Sequence, residues 1–174
     1  MKMKDLNLKI LSGLMKNSKI SDRKLADSIG VSQPTVTRRR AKMEKELSFK
    51  YTVIPDFAKL GMEIMAFHFT NWRTESYETL GKMKDFQKRV DKWISDRPNI
   101  IFASSGQGLG MSRITVTVHR SYSDFVKFKM EAENDWGKLF AQYETFIVSL
   151  KSDKVKRPIT FEYLADYIKS VHSP

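Results

Sequence analysis

The sequence has no cysteine, which excludes disulfide bonds, thiolate metal sites and cysteine nucleophiles. Histidine is also scarce, since His68, His119 and His172 are the only three, and this argues against a histidine-rich metal site. No apolar run approaches the roughly 18 residues of a membrane span, and the N-terminus lacks the apolar segment of a signal peptide. We therefore expect a cytoplasmic protein with no membrane contact, no metal and no cofactor.

Positive charge is what the sequence has in excess, with 31 Lys and Arg against 20 Asp and Glu, a net of +11 over 174 residues. Residues 1–50 hold 13 basic and 5 acidic side chains, a net of +8, whereas residues 51–174 have a net of +3. A basic segment joined to a nearly neutral one suggests that the first contacts phosphates. A solvated basic face is the alternative interpretation of the same charge.

The basic segment predicts three short helices. Ser21 is the expected N-cap of the second helix, and Gly30 is expected to end it. Ser32 is the expected N-cap of the third, with Pro34 in the first turn, where a missing N–H costs little. This helix should run to about Glu46. Two helices joined by such a short turn form a helix-turn-helix.

The second half of the chain alternates between strand and helix patterns. Strands are predicted for 63–70, 99–104, 113–119 and 143–150, and helices for 75–95 and from Ser121 or Ser123 onward. The order β-α-β-β-α-β is that of the ferredoxin-like split βαβ fold, an antiparallel sheet with both helices on one face. The other face needs cover, which a partner subunit could supply. Its apolar candidates are Phe67, Phe69, Ile114, Val116 and Val118.

A connecting strand is predicted between the two halves. Residues 49–54 are β-branched or aromatic and stop at Pro55, and a short turn then ends at Gly61. We therefore divide the chain into four parts. They are a helix-turn-helix domain at 1–50, a linking strand and hinge at 51–61, a βαββαβ domain at 62–152, and a C-terminal extension at 153–174 with a short helix.

These motifs resemble the Lrp/AsnC ("feast/famine") family of bacterial and archaeal transcription regulators. The resemblance rests on helix-turn-helix positions and on the link that follows them. The matching residues are Asp5, Ile10-Leu11, Lys24-Leu25-Ala26, Ile29-Gly30-Val31-Ser32, Thr35-Val36-Thr37-Arg38-Arg39, Met43-Glu44, Tyr51, Ile54-Pro55-Asp56 and Lys59-Leu60-Gly61. The resemblance implies an α+β chain, in which a helix-turn-helix (winged-helix-like) domain is joined by a strand to a βαββαβ regulatory and dimerisation domain. It further implies a homodimer or higher homo-oligomer that binds double-stranded DNA and responds to a small-molecule effector.

The third helix is the predicted recognition helix, because a helix fits the major groove and its N-terminal side chains reach base edges. Gln33 can pair with adenine, and Arg38 or Arg39 with guanine. Three consecutive arginines span most of a helical turn, so they cannot all face one groove. The remaining candidates would contact phosphates or thymine methyls. The predicted DNA-binding residues are Ser32, Gln33, Thr35, Thr37, Arg38, Arg39, Lys42 and Lys50.

Two departures from the family pattern bear on function. Arg40 stands where the family usually has an apolar residue, so its head group would reach either solvent or a phosphate. The loop at 106–113 is longer than the family's and lacks the usual acid, which puts ordinary amino-acid sensing in question. Its glycines, Gly106, Gly108 and Gly110, would be effector contacts by resemblance. The alternative interpretation is that these glycines form a flexible hairpin. A phosphate-binding loop is a third interpretation, but it would need a helix directly after the loop, which a hairpin lacks.

Two other functions remain open from the sequence. A basic protein of this kind could bridge or compact DNA with little specificity, as chromatin-like proteins do. Some siroheme decarboxylases resemble the family, and His68 and His119 would be the candidates for such a tetrapyrrole pocket, although satisfied histidines are the favoured interpretation. No carboxylate pair or Ser/His/Asp set is recognisable, so we expect a protein that is not an enzyme.

Overall fold

The computed structural model describes residues 5–73 and 84–172, which divide into two compact units. The helical unit comprises the chain up to Ile54 together with the segment from Arg157 onward, and the sheet unit comprises Pro55–Lys156. In chain order the elements are α1 (Asp5–Lys16), α2 (Asp22–Ile29), α3 (Gln33–Glu46), β1 (Ile64–Trp72), α4 (Lys84–Ser95), β2 (Ile100–Gly108), β3 (Met111–His119), α5 (Tyr122–Trp136), β4 (Phe140–Ser149) and α6 (Glu162–His172). None of these helices is long and apolar enough to cross a membrane.

The predicted caps of α2 are confirmed. The Ser21 hydroxyl accepts a hydrogen bond from the Lys24 amide at 3.3 Å, and Gly30 ends the helix with a φ of +71°, which favours glycine. Ser32 occupies the N-cap position of α3, but its hydroxyl bonds the Thr35 hydroxyl at 2.9 Å instead of a backbone amide. The predicted N-cap position of Ser32 is therefore confirmed, although its hydroxyl pairs with a neighbouring hydroxyl and not with a backbone N–H.

The core of the helical unit joins all three N-terminal helices. Its buried members are Ile10, Leu14, Leu25, Ala26, Val36 and Met43. The C-terminal helix α6 also packs against α1, with Ala165 fully buried and Lys16 paired with Asp166 at 2.6 Å. The segment that the sequence sets apart as an extension thus supplies the fourth helix of this unit.

The strand predicted at 49–54 is not formed, and the helical unit has no strand among its described residues. Phe49 packs against the helical core, while Val53 is 78% exposed. A strand needs a ladder partner, and no described segment of this chain supplies one here. The turn predicted before Gly61 is confirmed, with Gly61 at a φ of +81°.

The sheet unit has the predicted βαββαβ order. Its four strands pair antiparallel in the order β2-β3-β1-β4. The helices cover one face, where Phe125 of α5 packs on Ile64 and Ala66, and Phe86 of α4 packs on Trp72. The described part of α4 begins at Lys84, so the beginning of the predicted helix 75–95 lies outside the described residues.

The opposite face of the sheet is apolar. Met65, Val116 and Val118 form its buried centre, against which Phe57 and Met62 pack. Further out, Phe102 is 52% exposed and Phe146 is 64% exposed. Phe146 lies directly opposite Phe67 in the ladder, so strand alternation places both on this face.

The glycine-containing loop is tighter than predicted. Strand β2 continues through Gly106 to Gly108, and the chain reverses over only two residues. Leu109 and Gly110 have φ values of +52° and +71°, the signature of a type I′ hairpin turn. Residues predicted as a loop therefore belong to an extended hairpin. The pairing of β2 with β3 that forms it is not revealed by residue propensity alone.

Candidate nucleic-acid interface

Helix α3 separates its apolar and polar residues cleanly. Val36 and Met43 are buried against the core of the helical unit. The exposed side chains lie on the opposite face and include Gln33, Thr37, Arg38, Ala41, Lys42 and Lys45. We call these six residues the outer face of α3. The helix therefore presents to solvent a polar surface with three cations.

Arg38 and Arg39 lie in different environments although they are adjacent in sequence. Arg38 is exposed and forms no hydrogen bond or ion pair with another described residue. Arg39 is half-buried, and its guanidinium donates to the Asn7 side chain of α1 at 2.8 Å. A helix turns by about 100° per residue, so one arginine faces outward while the next is drawn toward α1.

Arg40 is held by acids within the helical unit. Its guanidinium donates to Glu44 at 2.9 Å and to Asp22 at 3.0 Å, and it lies 5.4 Å from the centre of the Tyr51 ring. The hydrogen bond to Glu44 raises the pKa of Arg40. A hydrogen bond from the Tyr51 hydroxyl, and then the one from Arg40, lower the pKa of Glu44. Arg40 thus joins α2 to α3 through these acids, with 22% of its side chain exposed.

Two exposed cations lie at the start of α2, beside the outer face of α3. Asp22 accepts a hydrogen bond from Thr37 at 2.7 Å, which brings the first turn of α2 to the middle of α3. Arg23 and Lys24 follow Asp22 and are exposed. Sequence reasoning missed both residues, although basic side chains directly after the Ser21 cap were a signal for them.

The other predicted DNA-binding residues are accessible to different degrees. Gln33 and Lys50 are exposed, and Thr35 is half-buried. Lys42 pairs with Glu46 at 3.5 Å, but both side chains are largely exposed, and such surface pairs contribute little. A phosphate could therefore replace Glu46 as the partner of Lys42.

The predicted effector glycines lie on an exposed hairpin. Gly106 and Gly108 belong to β2 and Gly110 to the turn, and every residue from 101 to 110 is exposed. The next element is strand β3, so this hairpin does not lead into the helix N-terminus on which phosphate-binding glycine loops depend.

A cavity of about 220 Å³ lies between the sheet and the helices of the sheet unit. Aromatic side chains form much of its wall, including all three tryptophans of the chain, Trp72, Trp93 and Trp136. Polar atoms reach it from His68 and Arg113. This cavity was not predictable from local sequence patterns, because its lining comes from four strands and both helices.

The two histidines of the sheet unit are connected by one threonine. The Thr117 hydroxyl lies 2.9 Å from His68 Nε2 and 2.7 Å from His119 Nε2, and all three side chains are buried. The Tyr143 hydroxyl lies 2.9 Å from His68 Nδ1. Burial, and then the positive charges of His119 and Lys129, lower the pKa of His68 to about 4, so its ring is neutral at pH 7. Burial also lowers the pKa of His119, against the opposing effect of Asp124.

Comparison with known proteins agrees with this arrangement. Residues 3–44 match the AsnC-type helix-turn-helix domain. The HTH-type transcriptional regulator LrpC of Bacillus subtilis (strain 168) is 29% identical over 129 residues, which cover 72% of this chain and 83% of that protein.

Solved structures show the same fold over most of the chain. An AsnC family transcriptional regulator from Agrobacterium tumefaciens superposes with a TM-score of 0.70 at 18% identity, covering 93% of this chain and 99% of that one. A transcriptional regulator from Neisseria meningitidis, solved in complex with L-Met, gives 0.73 at 14% identity, covering 93% and 99%. Residues 3–44 thus match an AsnC-type helix-turn-helix domain, and in sequence and fold the chain is similar to transcriptional regulators of the Lrp/AsnC family.

Proposed function

We propose that this protein is a transcriptional regulator that binds double-stranded DNA in a sequence-specific manner in the cytoplasm, as a homodimer or larger assembly. The observation that carries the proposal is the outer face of α3. Gln33 and Arg38 are exposed there, and Arg38 has no partner among the described residues. Their side chains suit bidentate pairing with adenine and guanine in the major groove.

Helix α2 supports the same docking. In a helix-turn-helix the second helix enters the major groove while the first crosses the phosphate backbone. Arg23 and Lys24 are exposed at the start of α2, where they would contact phosphates. Lys42 and Lys50 would add contacts that orient the protein without reading sequence. Arg39 and Arg40 would instead hold α3 in place, since their partners lie within the protein.

A second copy of the chain is the proposed cover for the apolar face of the sheet. Phe102 and Phe146 expose more than half of their surface there, next to a buried aliphatic centre. Exposed aromatic patches of this kind mark association surfaces. A two-fold assembly would place two copies of α3 about one helical turn of DNA apart, matching a palindromic operator.

Control by a small molecule is part of the proposal. A relative of the same fold was solved with L-Met, which shows that the architecture accommodates a small ligand. The three glycines of the hairpin remain candidates for such a contact by resemblance to the family.

Low-specificity bridging of DNA is the second candidate, favoured by the net charge of +11. Nonspecific binding comes from phosphate contacts and lacks discrimination between sequences, whereas specific sites bind about 10³–10⁷ times more tightly. A tetrapyrrole enzyme is less well supported. The cavity of about 220 Å³ lies below the roughly 300–1,000 Å³ of sites for drug-sized ligands, and a tetrapyrrole is larger still.

Selection of bound sequences from random duplex DNA tests the proposal directly, followed by titration of the selected site and a scrambled site at one salt concentration. Arg38→Gln should weaken the selected site about 10–100-fold and the scrambled site much less. Arg120→Gln is the matched control, because Arg120 is an equally exposed arginine in the sheet unit and should change neither affinity. Failure to enrich any sequence, with equal binding to both duplexes, would instead establish the bridging function.

A further inference from the structure

The cavity of the sheet unit combines an aromatic wall with a cation that has no ion-pair partner among the described residues. Arg113 is half-buried in β3, and its guanidinium lies 5.5 Å from the centre of the Trp72 ring. No described residue forms an ion pair with Arg113. A cation withdrawn from water is costly unless an anion accompanies it. An anion beside Arg113 would offset this cost.

A second donor at the same place lacks a partner. Trp72 is 6% exposed, and among the described residues nothing accepts a hydrogen bond from its buried indole N–H. Such buried donors are rare in native proteins because most are satisfied. Since Trp72 and Arg113 contact each other, one ligand group with two acceptor oxygens could approach both. A carboxylate is the group that pairs best with a guanidinium fork.

The size and lining of the cavity define the rest of the ligand. A dry cavity of about 150 Å³ holds benzene, so a cavity of about 220 Å³ accommodates about nine non-hydrogen atoms. Trp93, Trp136 and Phe128 supply ring faces and edges for an aromatic group. One six-membered ring with one carboxylate matches this volume.

The remaining charged residue of the lining lies on the surface. Asp91 is exposed and already accepts a hydrogen bond from Gln87 at 2.8 Å. His68 is neutral, and both of its ring nitrogens have partners inside the protein. Asp91 therefore already has a partner other than Arg113, and the neutral His68 offers no second cation to the carboxylate.

We propose that this cavity binds a small aromatic monocarboxylate of the benzoate or phenylacetate class, with the carboxylate on Arg113 and the indole N–H of Trp72. The site lies inside one sheet unit, and Gly106, Gly108 and Gly110 are not part of its lining. Binding here is independent of DNA binding, so either proposal can fail while the other holds.

Titration of the full-length protein with benzoate tests the site, because all three tryptophans line the cavity and their fluorescence reports its occupancy. Benzamide, which has the same shape without charge, and acetate, which lacks the ring, are the matched ligand controls. We expect saturable binding of benzoate or phenylacetate, confirmed by calorimetry, and at least about tenfold weaker binding of both controls.

Two substitutions locate the carboxylate. Arg113→Gln should weaken benzoate about 10–100-fold and leave benzamide unchanged, whereas Trp72→Phe, which removes the N–H donor together with one ring of the indole, should weaken benzoate about 3–10-fold. Arg120→Gln is the control and should leave the benzoate affinity unchanged, because Arg120 is exposed and directly follows β3, the strand that contains Arg113. Thermal unfolding of each variant shows whether it remains folded.

Three results would overturn the proposal. Absence of saturable binding by folded wild-type protein would exclude the site, and equal affinity for benzoate and benzamide would exclude charge recognition. Tighter binding of phenylalanine than of phenylacetate would show instead that Asp91 receives an ammonium group and that the ligand is an amino acid. In none of these cases would the DNA-binding measurements change.

Discussion

The two units of the molecule treat their polar side chains in opposite ways. Apart from the buried Ser12, the helical unit places apolar residues inside and displays polar groups, including Gln33 and Arg38, on the outer face of α3. The sheet unit buries polar groups, since His68, Thr117 and His119 lie beneath the helices and are satisfied largely by one another. A substitution on the outer face of α3 should therefore affect binding, whereas a substitution among the buried polar groups of the sheet unit should affect stability.

The largest effect should follow from lowering the pH. The pKa of His68 is about 4 in the folded sheet unit and about 6.5 in an unfolded chain. Between these values the unfolded state binds the extra proton, so stability falls as the pH decreases from about 6.5 to about 4, by about 3 kcal/mol in total for His68. Urea unfolding followed by tryptophan fluorescence reports this unit, because all three tryptophans belong to it.

His68→Gln provides the control for the pH experiment. Glutamine does not titrate, so the variant should be less stable at pH 7 but should lose less stability on acidification. A wild-type unfolding free energy that stays constant from pH 6.5 to 4 would contradict a buried neutral His68.

A smaller effect is expected from Thr117→Val, which keeps the shape of the side chain and removes its hydroxyl. The substitution leaves a nitrogen unpaired on both His68 and His119, so the free energy of unfolding should decrease by about 2 kcal/mol. Thr145→Val is the matched control, because Thr145 lies 3.4 Å from His68 Nδ1, which already has Tyr143 as a closer partner. Equal losses for the two variants would show that Thr117 does not connect the histidines.

The smallest expected effect is the difference in stability between substitutions of two arginines of α3. Arg40→Met leaves Asp22 and Glu44 without their shared cation and should destabilise the helical unit by about 1 kcal/mol. Arg38→Gln should leave stability unchanged, because Arg38 has no partner among the described residues. Thermal unfolding followed by far-ultraviolet circular dichroism measures the helices. If Arg38→Gln destabilises the protein as much as Arg40→Met, the division between reading and supporting arginines is wrong.

Most of the fold could be predicted from the sequence where the signals are local. Ser21 and Gly30 bound α2 because capping depends on neighbouring residues, and the alternation from Ile114 to Val118 places β3. The strand predicted at 49–54 is wrong because it depends on a signal that is not local. Residue propensity identifies an extended chain but not the neighbouring strand with which it must pair.

The residues of the candidate sites also differ in whether a local sequence pattern predicts them. Helical periodicity identified α3 and its exposed Gln33, but not which of three arginines is free, because the acids that hold Arg40 lie at Asp22 and Glu44. The cavity was not predictable at all, since Trp72, Arg113 and Trp136 come from three separate elements.

Local sequence was enough to predict the order of the elements, the caps of α2 and the concentration of positive charge in residues 1–50. The caps and the elements follow from hydrogen bonding and side-chain periodicity within a few residues, and the charge follows from composition. Three other features depend on contacts between distant parts of the chain: α6 completes the helical unit, Asn7 and Asp22 engage Arg39 and Arg40 but not Arg38, and His68 is connected to His119 through Thr117. Packing rather than local preference brings these residues together.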